Sequence, residues 1–90
     1  MAEIRQFGLD FFPGKSTLSA PASTKFLRAS MHISRLLLQG LVLSNGEADI
    51  EYDVYCLLDS QHADVTPDDF AGTVEVAEEI FSVFVVKTAN

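Results

Sequence analysis

The chain has a single cysteine, no tryptophan, and only six lysines and arginines to set against thirteen aspartates and glutamates. With Cys56 alone there is no intrachain disulfide, CxxC pair or cysteine-rich zinc site, and a reducing compartment fits best. The shortage of cations leaves a formal charge of −7 and an isoelectric point near 4.5. Such a field repels phosphate backbones and anionic lipid surfaces, so neither nucleic acid nor membrane is an expected partner. Long apolar runs are missing too: stretches such as Leu36–Leu38 and Val83–Val86 fall far short of the ~18 residues of a transmembrane span. The opening Met1-Ala2-Glu3-Ile4-Arg5 lacks the charged-then-apolar layout of a signal peptide. Glu3 and Asp10 also argue against a transit peptide, so the chain is read as mature, not secreted, and cytoplasmic or within a virion or other particle.

What is present suits a folded protein. Hydrophobic residues make up 48 % of the ninety and charged residues 21 %, too apolar for disorder. Residues 1–90 are one domain with one modest core.

Residues 2–12 alternate with period two, setting Arg5, Phe7, Leu9 and Phe11 on one side of a strand. Pro13-Gly14 ends it, and residues 13–22 carry the punctuation of a loop. From Ser23 to Gln39, Lys25, Arg28, His32, Arg35 and Gln39 recur at steps of three and four, predicting an amphipathic helix closed by Gly40. The same stretch also alternates, with Leu27, Ala29, Met31 and Ile33 against Arg28, Ser30, His32 and Ser34, which would be a strand. Asn45-Gly46, after Leu41-Val42-Leu43-Ser44, predicts a two-residue type I′ hairpin turn. The return strand runs from Glu47 to about Leu58, with Ile50, Tyr52, Val54, Cys56 and Leu58 facing the core and Asp49, Glu51, Asp53 and Tyr55 facing solvent.

Thr66-Pro67-Asp68-Asp69 reads as N-cap, N1 proline and two acids in a first turn, predicting a second helix along Phe70, Val74, Ala77 and Phe81. Gly72, Thr73, Val74 and Val76 are poor helix formers, so Thr73 to Lys87 also reads as one or two strands. Ser82 to Thr88 closes the chain as a strand. The resulting order, β-α-β-β-α-β, predicts an α+β, ferredoxin-like plait, and the period-two alternatives give an all-β sandwich. Val74, Phe81, Val54, Ile50, Leu36 and Ile33 are expected to share one core.

No motif carries a specific chemistry. Gly8 to Thr17 resembles a phosphate-binding loop but has five residues between its glycines where four are needed, which spoils the cradle of N–H groups. Cys56 lies mid-strand on the apolar face, where a thiol is inert. His32 and His62 form no metal-binding spacing, and no GxSxG elbow exists. Asp49, Glu51 and Asp53 stand side by side on one strand face but lack the glycine-turned spacing of a calcium loop. No cofactor, metal or catalysis is expected. An RNA-binding plait would display basic and aromatic residues on its sheet, whereas here Tyr55 is the only stacking residue among acids.

The charge is unevenly placed. Residues 1–45 carry Arg5, Lys15, Lys25, Arg28 and Arg35 against Glu3 and Asp10, and residues 46–90 carry eleven acids against Lys87, a split of +3 and −10. Part of the contrast could be settled internally if adjacent helices set Arg28 and Arg35 near Glu75 and Glu79. The remainder implies a non-enzymatic interaction or assembly subunit, such as a small structural component of a virion or other multi-subunit particle. It would meet a basic protein surface or a copy of itself through Asp49, Glu51, Asp53, Tyr55, Arg28 and Arg35. An alternative is an acidic inhibitor that mimics nucleic acid on the surface of a DNA- or RNA-binding enzyme.

Overall fold

The computed structural model describes residues 2–43 and 48–88. Seven strands form two antiparallel sheets around a common core. They are β1 (Glu3–Asp10), β2 (Gly14–Pro21), β3 (Lys25–His32), β4 (Arg35–Val42), β5 (Asp49–Leu57), β6 (Phe70–Val76) and β7 (Glu79–Lys87). The first sheet has the order β1-β4-β3 and the second β2-β5-β7-β6.

Period two is plainest in the central strands. Leu36, Leu38 and Val42 of β4 point inward, facing Tyr52, Val54 and Cys56 of β5 and Phe81, Val83 and Val85 of β7. A chain of edge-to-face rings, Phe7 to Phe26 at 5.7 Å and Phe26 to Tyr52 at 5.2 Å, ties the two sheets together. The Tyr52 hydroxyl donates to the carbonyls of Pro21 at 2.9 Å and Ala22 at 3.1 Å, fixing the crossover from β2 to β3.

The α+β plait is therefore overturned: the chain has strands where both long helices were expected. Residues 25–42 are a hairpin, β3 and β4, joined by the two-residue turn Ile33-Ser34. Its outer face explains the false helical period. A β-bulge between Phe26 and Arg28 turns the first polar interval, Lys25 to Arg28, into three residues. Two strand repeats give Arg28 to His32, the hairpin end gives His32 to Arg35 as direct partners, and two more repeats give Arg35 to Gln39. Steps of three and four thus arise from a bulged hairpin. Ile33, assigned above to the core, sits at the turn tip, 90 % exposed and with φ of 59°.

The second helix aborts after one 3-10 turn, Pro67–Asp69. Its start signals do form, since the Asp69 carboxylate accepts from the Thr66 N–H at 2.9 Å and its hydroxyl at 3.2 Å. β-Branched residues and Gly72 then continue it as β6 and, after the turn Ala77-Glu78, β7. Residues 13–22, read above as a loop, hold β2. It is an edge strand of small residues with Ser16, Leu18 and Ala20 turned inward, and Pro21 at its last position is tolerated there because an edge needs fewer donors. The turn at Asn45-Gly46 lies outside the described residues. The strands flanking it do not pair as a hairpin: β4 bonds to β1 and β3, and β5 to β2 and β7.

On one flank the two sheets close on each other, β3 beside β6. There Gly72, with φ of 139°, approaches Ala29 so closely that a Cβ on it would stand 3.0 Å from the Ala29 nitrogen. On the opposite flank β1 and β2 do not close on each other in this way, and Phe7, Leu9, Phe11 and Leu18 there are only partly buried against the core. Among the described residues no helix is long and apolar enough to cross a membrane.

Candidate functional site

The sequence-predicted site residues do not form one site. Asp49, Glu51, Asp53 and Tyr55 share the outer face of β5 in the second sheet, whereas Arg28 and Arg35 lie on the outer face of the first sheet, across the core from them. Arg28 and Arg35 do not pair with Glu75 or Glu79 among the described residues, because these belong to different sheets rather than to neighbouring helices.

The first face is mostly basic. Strand pairing sets Gln6, Gln39 and Arg28 in one row, Gly8, Leu37 and Ser30 in the next and Asp10, Arg35 and His32 in the one after, with Lys25 beside Leu41. Arg35 Nη1 lies 3.3 Å from Asp10 Oδ1, and both side chains are more than half exposed, a pair contributing about 0–1 kcal/mol. Arg28 makes no ion pair among the described residues, and with Gln6, Ser30, Leu37 and Gln39 it lines a small pit of about 210 Å³.

The second face is acidic at one end and apolar at the other. Asp49 and Glu51 are exposed and make no ion pair among the described residues. Asp53 is not: its side chain is only 14 % exposed, its carboxylate accepts from the Thr88 hydroxyl at 3.0 Å, and Lys15 Nζ stands 3.7 Å away. The next row crosses all four strands as Lys15, Tyr55, Phe84 and Phe70. Phe70 and Phe84 pack edge to face at 5.5 Å and, with Val65, Thr66 and Pro67, shape an almost wholly apolar hollow of about 450 Å³. This aromatic row was missed from sequence, although Phe84 and Val86 alternate with Val83 and Val85 and so had to lie on the outer side.

Other chemistry-bearing groups stay apart. Gly14 opens β2 with φ of 95°, Lys15 points outward from a strand, and no helix follows, so the phosphate-loop look-alike is a sheet-to-sheet crossing. His32 and His62 are exposed on separate segments, and among the described residues no three His, Cys, Asp or Glu side chains gather as a metal site. A groove of about 690 Å³ runs between β3 and Pro67–Asp69, with Lys25, Lys87, Asp68 and Asp69 along its walls.

Cys56 lies inside, 1 % exposed, and burial pushes its thiol up to about 11 from an ordinary 9.0. The folded thiol therefore holds its proton where the unfolded one loses it. Up to about pH 9 both states are protonated and the group is neutral to stability; from there to about pH 11 the unfolded chain is favoured progressively. Urea midpoints measured across that range should fall for the wild type and less for Cys56→Ala. A thiol reagent at pH 8 should label Cys56 slowly in the native protein and rapidly in denaturant.

The chain matches no protein-family model, no curated protein and no solved structure.

Proposed function

We propose that the chain is a non-enzymatic protein–protein interaction or assembly subunit, of the kind that builds a virion or another multi-subunit particle, working in the cytoplasm or within that particle. The observation that carries this reading is the placement of opposite charge on opposite outer faces. Lys25, Arg28, Arg35 and His32, offset by Asp10, stand on one side; Asp49, Glu51, Asp53 and Glu75, offset by Lys15, stand on the other. Unlike surfaces on one subunit favour head-to-tail contact, which produces rings or filaments. A basic protein partner could cover the acidic face in place of a second copy.

The acidic-inhibitor alternative draws on the same β5 face but needs a ladder of free acids, and Asp53 is held by Lys15 and Thr88. The reading offers no place for nucleic acid, membrane, cofactor or metal.

Sedimentation velocity tests it. The Debye length falls from ~10 Å at 0.1 M salt to ~3 Å at 1 M, so complexes held by exposed charge should shrink over that range. Asp49→Lys with Glu51→Lys should weaken association at low salt while leaving the thermal melt unchanged, because both side chains are exposed. Arg28→Glu should do the same from the opposite face. Mixing the two variants should restore association. Sedimentation independent of salt and of both changes would leave the charge as a solubility feature only.

A further inference from the structure

The four strands at sheet edges are not equally guarded against pairing with another chain. β3 carries a bulge at Phe26/Arg28 and is covered by β6; β6 carries its own bulge at Phe70/Gly72; β2 bears Lys15 and ends in Pro21. Bulges, lysines, prolines and covering elements are the usual devices that blunt an edge. β1 has none of these four; the charges it does carry, Glu3 and Arg5 on the inner face opposite Val42 and Gly40 and Asp10 at its end, are of both signs, so they can pair across a second copy of the same edge as well as guard it. It runs eight residues in unbroken register with β4, has neither lysine nor proline, and among the described residues no strand pairs with its other side. It also borders the flank toward β2, where Phe7, Leu9, Phe11 and Leu18 are only partly covered and Phe12 is 59 % exposed.

We propose that β1 is the pairing edge for β1 of a second copy, antiparallel about a two-fold axis at Ile4, giving a six-stranded sheet β3-β4-β1-β1-β4-β3. The charges of β1 select this register. With Ile4 opposite Ile4, Glu3 of each copy lies opposite Arg5 of the other, so two unlike pairs form. Centring the pair on Arg5 or on Glu3 sets like charges face to face. Centring it on Gln6 or Phe7 sets Glu3 and Arg5 opposite apolar side chains. A shift by a single residue would turn one copy's inner face outward. Arg5 Nε already lies 2.6 Å from Glu3 Oε1 in one copy, so the dimer extends an existing pair into a four-charge ladder.

The apolar side chains agree with this register. Ile4 is 53 % exposed on the outer face, directly across from Leu41. In the dimer the two isoleucines meet, and Leu41, Ile4, Ile4 and Leu41 form one continuous row across four strands. Residues 3–6, the fully exposed part of β1, are the ones that become paired.

This contact deepens the self-association in the proposed function but uses neither charged outer face, so it stands or falls separately. Wild type, Glu3→Arg, Arg5→Glu and the double swap would be followed by sedimentation equilibrium, with far-UV circular dichroism melts confirming the fold. The wild type and the double swap should dimerise. Each single variant sets like charges opposite at two positions and should self-associate roughly tenfold more weakly. An equimolar mixture of the two single variants should dimerise again, since one copy then bears two acids and the other two arginines. Should either reversal unfold the chain, Glu3→Gln and Arg5→Gln each lose the unlike pairs without adding repulsion and should weaken dimerisation to a lesser degree. A monomeric wild type, single variants that dimerise as tightly as wild type, or a mixture that stays monomeric would each overturn the proposal. A β1 dimer that forms while no further association responds to salt, to Arg28→Glu or to the Asp49→Lys with Glu51→Lys variant would reject only the head-to-tail reading.

Discussion

Gly72→Ala should destabilise the protein by about 2–6 kcal/mol, a large share of the roughly 5–15 kcal/mol that holds a small domain folded. Two costs add. A φ of 139° is a backbone conformation that side-chain-bearing residues reach only with about 1–3 kcal/mol of strain. The new Cβ would also stand 3.0 Å from the backbone nitrogen of Ala29, which cannot swing aside as a side-chain tip would, and overpacking of that kind costs about 1–3 kcal/mol. Gly14→Ala provides the control, because Gly14 also has a left-handed φ, 95°, but nothing lies within 4 Å of its added Cβ. Urea melts should therefore show Gly72→Ala losing clearly more than Gly14→Ala. Equal losses would mean that the β3–β6 closure is not a close contact.

The closure also shows why the fold was only partly legible. β1, β5 and the later part of β7 could be read directly, because Phe7 and Leu9, then Tyr52, Val54 and Cys56, then Val83 and Val85 alternate without interruption, whereas Phe81 at the start of β7 was assigned to the helix. Both segments misread as helices contain a break in that alternation. The bulge at Phe26/Arg28 and the Ile33-Ser34 turn give Lys25–Gln39 a helical spacing, and the bulge at Phe70/Gly72 with the Ala77-Glu78 turn does the same for the line Phe70, Val74, Ala77, Phe81. Periodicity counts residues along the chain, whereas a sheet face is defined across strands, so one bulged residue in a hairpin changes the apparent period. β2 escaped for another reason: its inward residues Ser16 and Ala20 are too small to register as an apolar face.

The candidate surfaces follow the same division. Asp49, Glu51, Asp53 and Tyr55 could be placed on one face from β5 alone. That Arg28 and Arg35 lie on the opposite side of the molecule depends on which sheet each hairpin joins, and no local pattern encodes it. The exposed edge of β1 is likewise a property of strand order. Residues 2–6 look the same in sequence whether β1 is central or terminal in its sheet.

The turns invert the usual signal, and this yields the second large effect. Asn45-Gly46, the strongest short hairpin signal in the chain, separates β4 and β5, which belong to different sheets. The tight hairpin between β6 and β7 instead turns through Ala77 and Glu78, with φ of 52° and 68°. Two central residues at positive φ define a type I′ turn, where Asn-Gly is favoured because other side chains strain against the backbone. Left-handed backbone costs an ordinary residue roughly 1–2 kcal/mol. Replacing Ala77 with Asn and Glu78 with Gly relieves most of that at both positions, while the added glycine returns about 0.4–1 kcal/mol to the unfolded chain as entropy. The double variant should thus be more stable by about 1–3 kcal/mol, seen as a higher urea midpoint at an unchanged slope. Ala77→Val should move the midpoint the other way, since a β-branched side chain tolerates positive φ worst. If Asn-Gly leaves the midpoint unchanged or lowers it, β6 and β7 are not joined by a left-handed two-residue turn, and the register that places Phe70 beside Phe84 loses its anchor.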